Sequence, residues 1–377
     1  MKRIISRLKR IYQKYLENKS KKKYEKGETV IVSDKVCCKG NTEVPIVFGV
    51  VGTGHVSDRW IHDIKMLPAE CNISVKGIFD ANTAVAEKKA KQYGNLSVYE
   101  TYEAMLSDSE INAVYVATPN VLHCAHTVQA LRAEKNVICE KPVAVNTQEL
   151  QCMKETAREN GCFFMEGMWM RTLPMIKKLC EVISSGEIGS VRYIETRCMN
   201  SNSPEKYPSM FSKQKAGGAL MDVGCYGLHF AELIMGKAEE ISSFADITEG
   251  GVDLTSSVVL VKDGITASVT QSLGATGGAF ATIHAEKGYV EVPMFLSPSE
   301  FTVKTWAKKT VYKYSVPKEK RTIGYAYEIA EFADCIRNGY NDSALIPYED
   351  TYYVSSVMEK VRKNHSLIYG SEINDKG

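Results

Sequence analysis

Between Ile46 and Pro142, continuous apolar runs alternate with amphipathic stretches. IVFGVVG has the texture of a strand buried on both faces, and the GTGHVSDRWIHDIKML that follows it has helical spacing. ISVKGIFD, SVYE, INAVYVATPN and NVICEKP repeat the first pattern, while ANTAVAEKKAKQYG, Thr101 to Leu106 and HCAHTVQALRAEK repeat the second. Such alternation predicts βαβ units on a doubly wound parallel sheet, an α/β Rossmann arrangement. Further on, SVRYIETRCMN, EISSFADITEG, DLTSSVVLVKDG, ITASVTQSLG, AFATIHAEKGYVEV and FTVKTW are β-rich runs broken by Gly, Asp and Asn.

At 377 residues the chain exceeds what one hydrophobic core usually serves. The patterns divide it into a basic extension at 1–45 (helix plus linker), an α/β domain at 46–168 and a β-rich domain at 169–370. The helical segment YEIAEFADCIRNG is expected to pack back on the first domain. Net charge is +2, but residues 1–26 carry +9, which leaves −7 on the rest and argues against nucleic-acid binding. Within that tail Ile4, Leu8, Ile11, Tyr15 and Leu16 fall at helical spacing, so it reads as an amphipathic helix packed on the body or a partner, or in weak contact with a membrane surface. No long apolar run marks a membrane span or a signal peptide, so a cytoplasmic location is expected. The eleven cysteines are odd in number and show no CxxC, which reads as reduced thiols with neither disulfide framework nor metal site.

Placed after the first strand, Gly52, Thr53, Gly54, His55 and Val56 acquire a chemical reading. Gly52 permits a tight turn, Gly54 a close approach to pyrophosphate, and the helix start offers free N–H groups. Ser57 stands where a third glycine is usual. Asp80 ends the second strand, where a carboxylate accepts from ribose hydroxyls and repels an additional phosphate, so NAD is favoured, with NADP not excluded. Thr118 and Asn120 lie at the carboxyl edge of a later strand on the cofactor side. His123, with packing as the alternative, and Glu140 and Lys141 join them. His123 and His126 have no companions for a metal set.

In GGALMDVGCYGLHF, Asp222, Tyr226 and His229 are spaced four and three apart, which puts Asp222 and Tyr226 on one helical face. Its glycines, costly in a helix, are expected at a functional seam: Gly217 and Gly218 against ligand, Gly224 and Gly227 against the first domain.

VFGVVGTGHVS, AVYVATPNVLH, NVICEKP and GGALMDVGCYGLH, in this order, resemble the large family of glucose-fructose oxidoreductase and inositol dehydrogenase-like enzymes. The resemblance runs from about Ile46 to about Leu367. MEGMWMRTLPMI looks like the branch with dimeric dihydrodiol dehydrogenase and D-xylose dehydrogenase. It implies a Rossmann domain followed by an α/β domain on a large, open, mostly antiparallel sheet, through which subunits pair as a homodimer. It also implies an NAD(P)-dependent oxidoreductase acting on a sugar, polyol or related cyclic alcohol, with Lys141, Asp222 and Tyr226 as the catalytic constellation. Lys141 beside Tyr226 would favour phenolate and make it a usable base. Glu166, Trp169, Arg171 and His229 are candidate substrate contacts, His229 also reading as core. Where relatives often continue Arg-Phe-Phe-Pro, this chain has Arg171-Thr172-Leu173-Pro174, which alters the expected pocket wall and argues for a polar substrate over an arene dihydrodiol. The alternatives are an enzyme that recycles a tightly held cofactor and a non-catalytic NAD sensor.

Overall fold

The structure is a computed structural model and describes residues 28–33, 36–305, 307, 310–316 and 324–369. The basic tail lies outside the described residues. A short strand, β1 (Glu28–Ile31), precedes the first domain. Six parallel strands then form one sheet: β2 (Ile46–Val51), β3 (Ile73–Phe79), β4 (Ser97–Val98), β5 (Ala113–Val116), β6 (Asn136–Glu140) and β7 (Phe164–Gly167). Their order, β4-β3-β2-β5-β6-β7, reverses direction at β2, so the turn after β2 opens at the switch point where such sheets bind ligands. The intervening helices are α1 (His55–Ile64), α2 (Thr83–Gln92), α3 (Tyr102–Leu106), α4 (His123–Arg132) and α5 (Thr147–Glu159). α5 begins with a side-chain cap: Asn146 accepts from the Glu149 N–H at 2.8 Å, and Glu149 reaches back to accept from the Val145 N–H at 3.0 Å.

After α6 (Pro174–Ser184) come β8 (Val191–Met199), α7 (Cys225–Met235), β9 (Glu240–Ile247), β10 (Asp253–Lys262), β11 (Ile265–Ser272), β12 (Gly278–Ala285), β13 (Gly288–Pro293), β14 (Glu300–Thr305) and β15 (Thr310–Ser315). With β1 they make a nine-stranded sheet ordered β1-β15-β14-β13-β12-β8-β11-β10-β9. It is mainly antiparallel, with β1–β15 and β8–β11 parallel. Residues 28–31 are the edge strand of this sheet. Alternation along β8 buries Ile194, Thr196 and Cys198 and exposes Glu195 and Arg197, which gives the sheet one covered and one open face.

α7 lies on the covered face. A Cβ at Gly227 would come within 2.6 Å of Val269 and 2.7 Å of Thr196, and one at Gly224 within 3.0 Å of Gln271. These glycines therefore seat the helix on its own sheet and not against the first domain as expected. Gly217 and Gly218 likewise crowd their own domain, a Cβ falling 2.4 Å from the Met210 carbonyl and 2.2 Å from Asp253 respectively.

Two late helices, α8 (Tyr325–Arg337) and α9 (Tyr348–Asn364), pack back on the first domain. Phe332 lies 5.5 Å from both Phe48 and Phe163, and the Thr147 N–H and hydroxyl both donate to Glu359. Among the described residues no helix is long and apolar enough to cross a membrane. The thiol expectation is corrected at one pair: Cys38 and Cys71 form a disulfide, while nine cysteines stay free. The approach of two cysteines 33 positions apart is a tertiary event that spacing does not announce.

Candidate active site

The glycine turn is built by crowding on one side and openness on the other. Gly52 has φ 88°, and a Cβ there would fall 2.5 Å from the Ala117 carbonyl oxygen. Only glycine fits that conformation and approach. A Cβ at Gly54 would meet nothing, and Gly54 and His55 are exposed at the start of α1, where no side chain caps the helix. Free N–H groups facing open space suit a phosphate. Val56 is half-buried, and Ser57 is buried with its hydroxyl donating to the Gly52 carbonyl at 2.6 Å. Asp80 accepts from the Thr53 N–H and hydroxyl, both at 2.8 Å, and from the Asn82 N–H at 2.9 Å. The residues present thus fit a dinucleotide: a turn open to pyrophosphate and a carboxylate beside it.

At the carboxyl ends of β5 and β6 the polar side chains mostly hold backbone. Buried His123 lies 2.9 Å from the Pro142 carbonyl and 2.8 Å from that of Thr118, and so pins two turns together. Burial lowers its pKa to about 4, so the ring is neutral and only one of these contacts carries its N–H. The Thr118 hydroxyl meets His126 at 3.1 Å, and the Asn120 amide donates to the Ala216 carbonyl at 2.9 Å across the domain seam. Glu140 accepts from the Tyr115 hydroxyl at 2.6 Å and from the Lys141 N–H at 3.1 Å; burial pushes its carboxyl up. The Lys141–Pro142 peptide is cis.

Lys141, Asp222 and Tyr226 meet here. A π-helical turn, Leu220–Gly224, precedes α7, and such turns widen the helix and recur at functional sites. The Lys141 ammonium donates to the Asp222 carbonyl at 2.7 Å and lies 3.4 Å from its carboxylate. It sits 5.1 Å from the centre of the Tyr226 ring. Burial works against the lysine's charge, but Asp222 and the other acidic groups around it, Glu140 among them, together outweigh burial and hold the pKa above the ordinary value. Tyr226 behaves otherwise than expected. Burial, with Glu140 nearby, pushes its pKa well above the usual phenol range, and the donor at its oxygen is the Trp169 indole, 2.6 Å away. The lysine faces the ring because Asp222 takes its donors.

Two buried thiols, Cys198 and Cys225, adjoin Lys141 and Asp222 and are pushed up by burial to about 11 and about 12, so both stay neutral. Glu328 on α8 is fully buried with its pKa raised well above the carboxyl range by burial and by Glu140. Tyr325 stacks on Trp169 at 5.0 Å and 14°. Sequence reasoning missed Tyr325 and Glu328, since nothing local marks a helix that returns to the cleft from the far end of the chain.

Arg171, Glu166 and His229 are brought together, but inside the protein. Arg171 donates to Glu232 and Asp350, each at 2.7 Å, and to the Leu345 carbonyl at 2.8 Å; its side chain is 4% exposed. His229 lies 3.1 Å from Glu166, which also accepts from Thr351 at 3.0 Å. Burial alone would raise the Glu166 pKa; His229 and Thr351 reverse that and hold it below its usual range. These three residues are buried and tie α7, α9 and the end of β7 together. Thr172 and Leu173 are buried as well, the hydroxyl of Thr172 donating to the Trp169 carbonyl at 2.7 Å. The two smaller residues therefore pack inside the protein, next to Trp169. Among the described residues no cluster suits a metal ion.

Residues 46–168 match the family described as an oxidoreductase family with an NAD-binding Rossmann fold, and residues 176–291 match the GFO/IDH/MocA C-terminal domain. Trans-1,2-dihydrobenzene-1,2-diol dehydrogenase of Bos taurus is 30% identical over 324 residues, covering 84% of this chain and 96% of the relative. The Homo sapiens enzyme is 30% identical over 328 residues, with 84% and 96% covered. Among solved structures, KijD10, a 3-ketoreductase from Actinomadura kijaniata in complex with NADP and TDP-benzene, is similar with a TM-score of 0.77 at 22% identity, over 85% of this chain and 98% of that one. Levoglucosan dehydrogenase in complex with NADH and levoglucosan gives 0.76 at 20% identity, over 86% and 98%. At such identities the structures speak for the fold alone. Sequence, fold and open glycine turn agree: the chain belongs to the GFO/IDH/MocA oxidoreductase family and is an NAD(P)-dependent oxidoreductase acting on a CH–OH group.

Proposed function

We propose that this oxidoreductase prefers NAD and interconverts a ring alcohol of a sugar, polyol or related cyclic diol with its ketone, using Tyr226 as the acid/base group. The observation that carries the reading is the meeting of Lys141, Asp222 and Tyr226 at the carboxyl edge of the parallel sheet, on the side where the Gly52 turn opens. When bound, nicotinamide supplies the hydride carrier. Tyr226 takes the hydroxyl proton in oxidation and returns it in reduction. Lys141 keeps its charge against the phenol face and fixes the Asp222 backbone. Asp222, its side chain 24% exposed against 13% for Lys141, is the group we assign to orienting the substrate hydroxyl.

Residues 46–168 take the dinucleotide and residues 169–370 the substrate in this reading. Asp80 supports NAD over NADP, because its carboxylate stands where an additional phosphate would be repelled. The branch with dihydrodiol dehydrogenases is supported by their identity to this chain, and with Thr172 and Leu173 buried a cyclic vicinal diol stands beside the sugars as a substrate class. The open sheet face, where Phe244 is 75% exposed, supports pairing of two subunits. We place the protein in the cytoplasm, where nine free thiols persist.

The test is fluorescence titration with NADH and NADPH, followed by turnover on a panel of aldoses, inositols and cyclic dihydrodiols read at the reduced nicotinamide band. Tighter NADH binding with turnover that Tyr226→Phe abolishes is the expected result. Binding with no turnover on any ring alcohol would overturn the substrate class, and a fully active Tyr226→Phe would overturn the acid/base assignment.

A further inference from the structure

We propose that Trp169 is the positioning residue of the proton-transfer centre: its indole N–H fixes the Tyr226 oxygen and is the donor that stabilises phenolate there. The inference rests on the reading of Tyr226 as the acid/base group.

An indole nitrogen only donates, so the sense of the 2.6 Å bond is unambiguous: Tyr226 accepts, and its own proton is left to point away from the indole. Both residues are buried, Trp169 at 9% and Tyr226 at 7% exposure, so water does not compete for the bond. Lys141 does not serve that oxygen in its place, since its ammonium donates to Asp222 and approaches the ring face. Burial holds the phenol protonated, and the indole bond is the interaction at the oxygen that opposes burial. It strengthens when Tyr226 ionises, because a bond to a charged acceptor is stronger than one to a neutral oxygen.

The indole is itself immobilised. One face carries Tyr325, stacked at 5.0 Å and 14°. At Gly324, where φ is 123°, the backbone lies so close that a Cβ would fall 2.3 Å from Trp169 Cε3. The Trp169 backbone carbonyl accepts from Thr172, which sets the short turn Trp169–Thr172 after β7. The ring thus has one face covered by Tyr325 and its N–H edge committed to Tyr226, so α8 acts on the centre through Tyr325.

Trp169→Phe keeps a ring against Tyr325 and removes the donor. The expected result is a fall in kcat for alcohol oxidation of about tenfold or more near neutral pH with KM changed less than about twofold, and an upward move of the ascending limb of kcat against pH by about 1–2 units. Tyr226→Phe, measured in parallel, should be inactive. An unmoved limb in Trp169→Phe beside an inactive Tyr226→Phe overturns the inference and leaves the acid/base reading intact; an active Tyr226→Phe overturns that reading. A measurement without turnover decides the bond itself: in ¹⁵N-labelled protein, Tyr226→Phe should shift the Trp169 indole N–H resonance upfield and leave the other indoles in place. No shift overturns the inference even if Trp169→Phe fails to fold.

Discussion

The Asp80 carboxylate receives both the backbone N–H and the hydroxyl of Thr53, each at 2.8 Å, so the end of β3 is latched to the glycine turn that follows β2. One residue thereby shapes the phosphate turn and places a negative charge beside it. Asp80→Ala should weaken NADH binding by about 10–100-fold, since a charge-assisted bond and the turn geometry are lost together. NADPH should lose less, and the two affinities should converge. Thr53→Ala keeps the backbone bond and should cost NADH only about tenfold or less. Fluorescence titration of each variant with each nucleotide checks the ordering.

Tyr226→Phe and Lys141→Met separate chemistry from binding. Tyr226→Phe should lower kcat by about 100-fold or more, the range of a lost general acid/base, with nucleotide affinity unchanged. Lys141→Met removes the donor to Asp222 and should lower kcat as well. Steady-state kinetics at several pH values checks both; retained turnover in either variant would remove that residue from the centre.

Arg171 tests whether a buried cation here is structural. Its guanidinium joins Glu232 and Asp350 at 4% exposure, so Arg171→Met strands two carboxylates and should cost about 3–5 kcal/mol of unfolding free energy. Substrate KM in the folded protein should stay within about threefold. Chemical denaturation and kinetics on one preparation check this, and a large KM change at full stability would return Arg171 to the pocket.

Asp253 gives a pH dependence with a definite sign. It is buried, with Oδ2 accepting from the Leu220 N–H at 2.8 Å and the Ser256 hydroxyl at 2.6 Å, and burial raises its pKa to about 6. Because the folded value exceeds the unfolded one, the fold favours the protonated form. This group's contribution to stability is complete below about pH 4 and is lost as pH rises through about 6, a change of order 3 kcal/mol. Asp253→Asn should flatten stability against pH across that window in urea titrations; an unchanged slope would show that Asp253 does not titrate there.

Continuous apolar runs between Ile46 and Glu140 announced the parallel sheet because a strand buried on both faces has little room for polar residues. The glycine turn was legible for a local reason too, since Gly52 and Asp80 act on neighbouring strands. The centre was legible in part: Asp222 and Tyr226 share a face by spacing, whereas Lys141 joined them by resemblance. Trp169 reaches Tyr226 across 57 positions, and Tyr325 comes from a helix later still, so no periodicity relates them. Arg171 was read as a pocket residue because a sequence displays a charge without its partners, and Glu232 and Asp350 arrive from two other helices. The glycines of residues 217–227 were correctly read as marks of close approach; what they approach, the chain's own sheet and Asp253, is a tertiary fact.

The disulfide supplies a last prediction, at the margin of the family match. Residues 36–45 precede that match yet are fastened to the first domain and to α8. Cys38 is bonded to Cys71, the Lys39 N–H donates to Asp334 at 2.6 Å, and Arg337 donates to the Val44 carbonyl at 3.1 Å and to that of Cys71 at 2.6 Å. A crosslink between residues 33 apart removes unfolded-state freedom equivalent to about 3–4 kcal/mol. Cys38→Ser should therefore lower unfolding free energy by up to about that amount under non-reducing conditions, and dithiothreitol should have the same effect on the wild type and little on the variant. Turnover should be unchanged in the folded state, because the crosslink lies outside the Lys141, Asp222 and Tyr226 cluster. Denaturation curves of both proteins with and without reductant check this, and identical curves for all four would show that the two sulfurs are not bonded in solution.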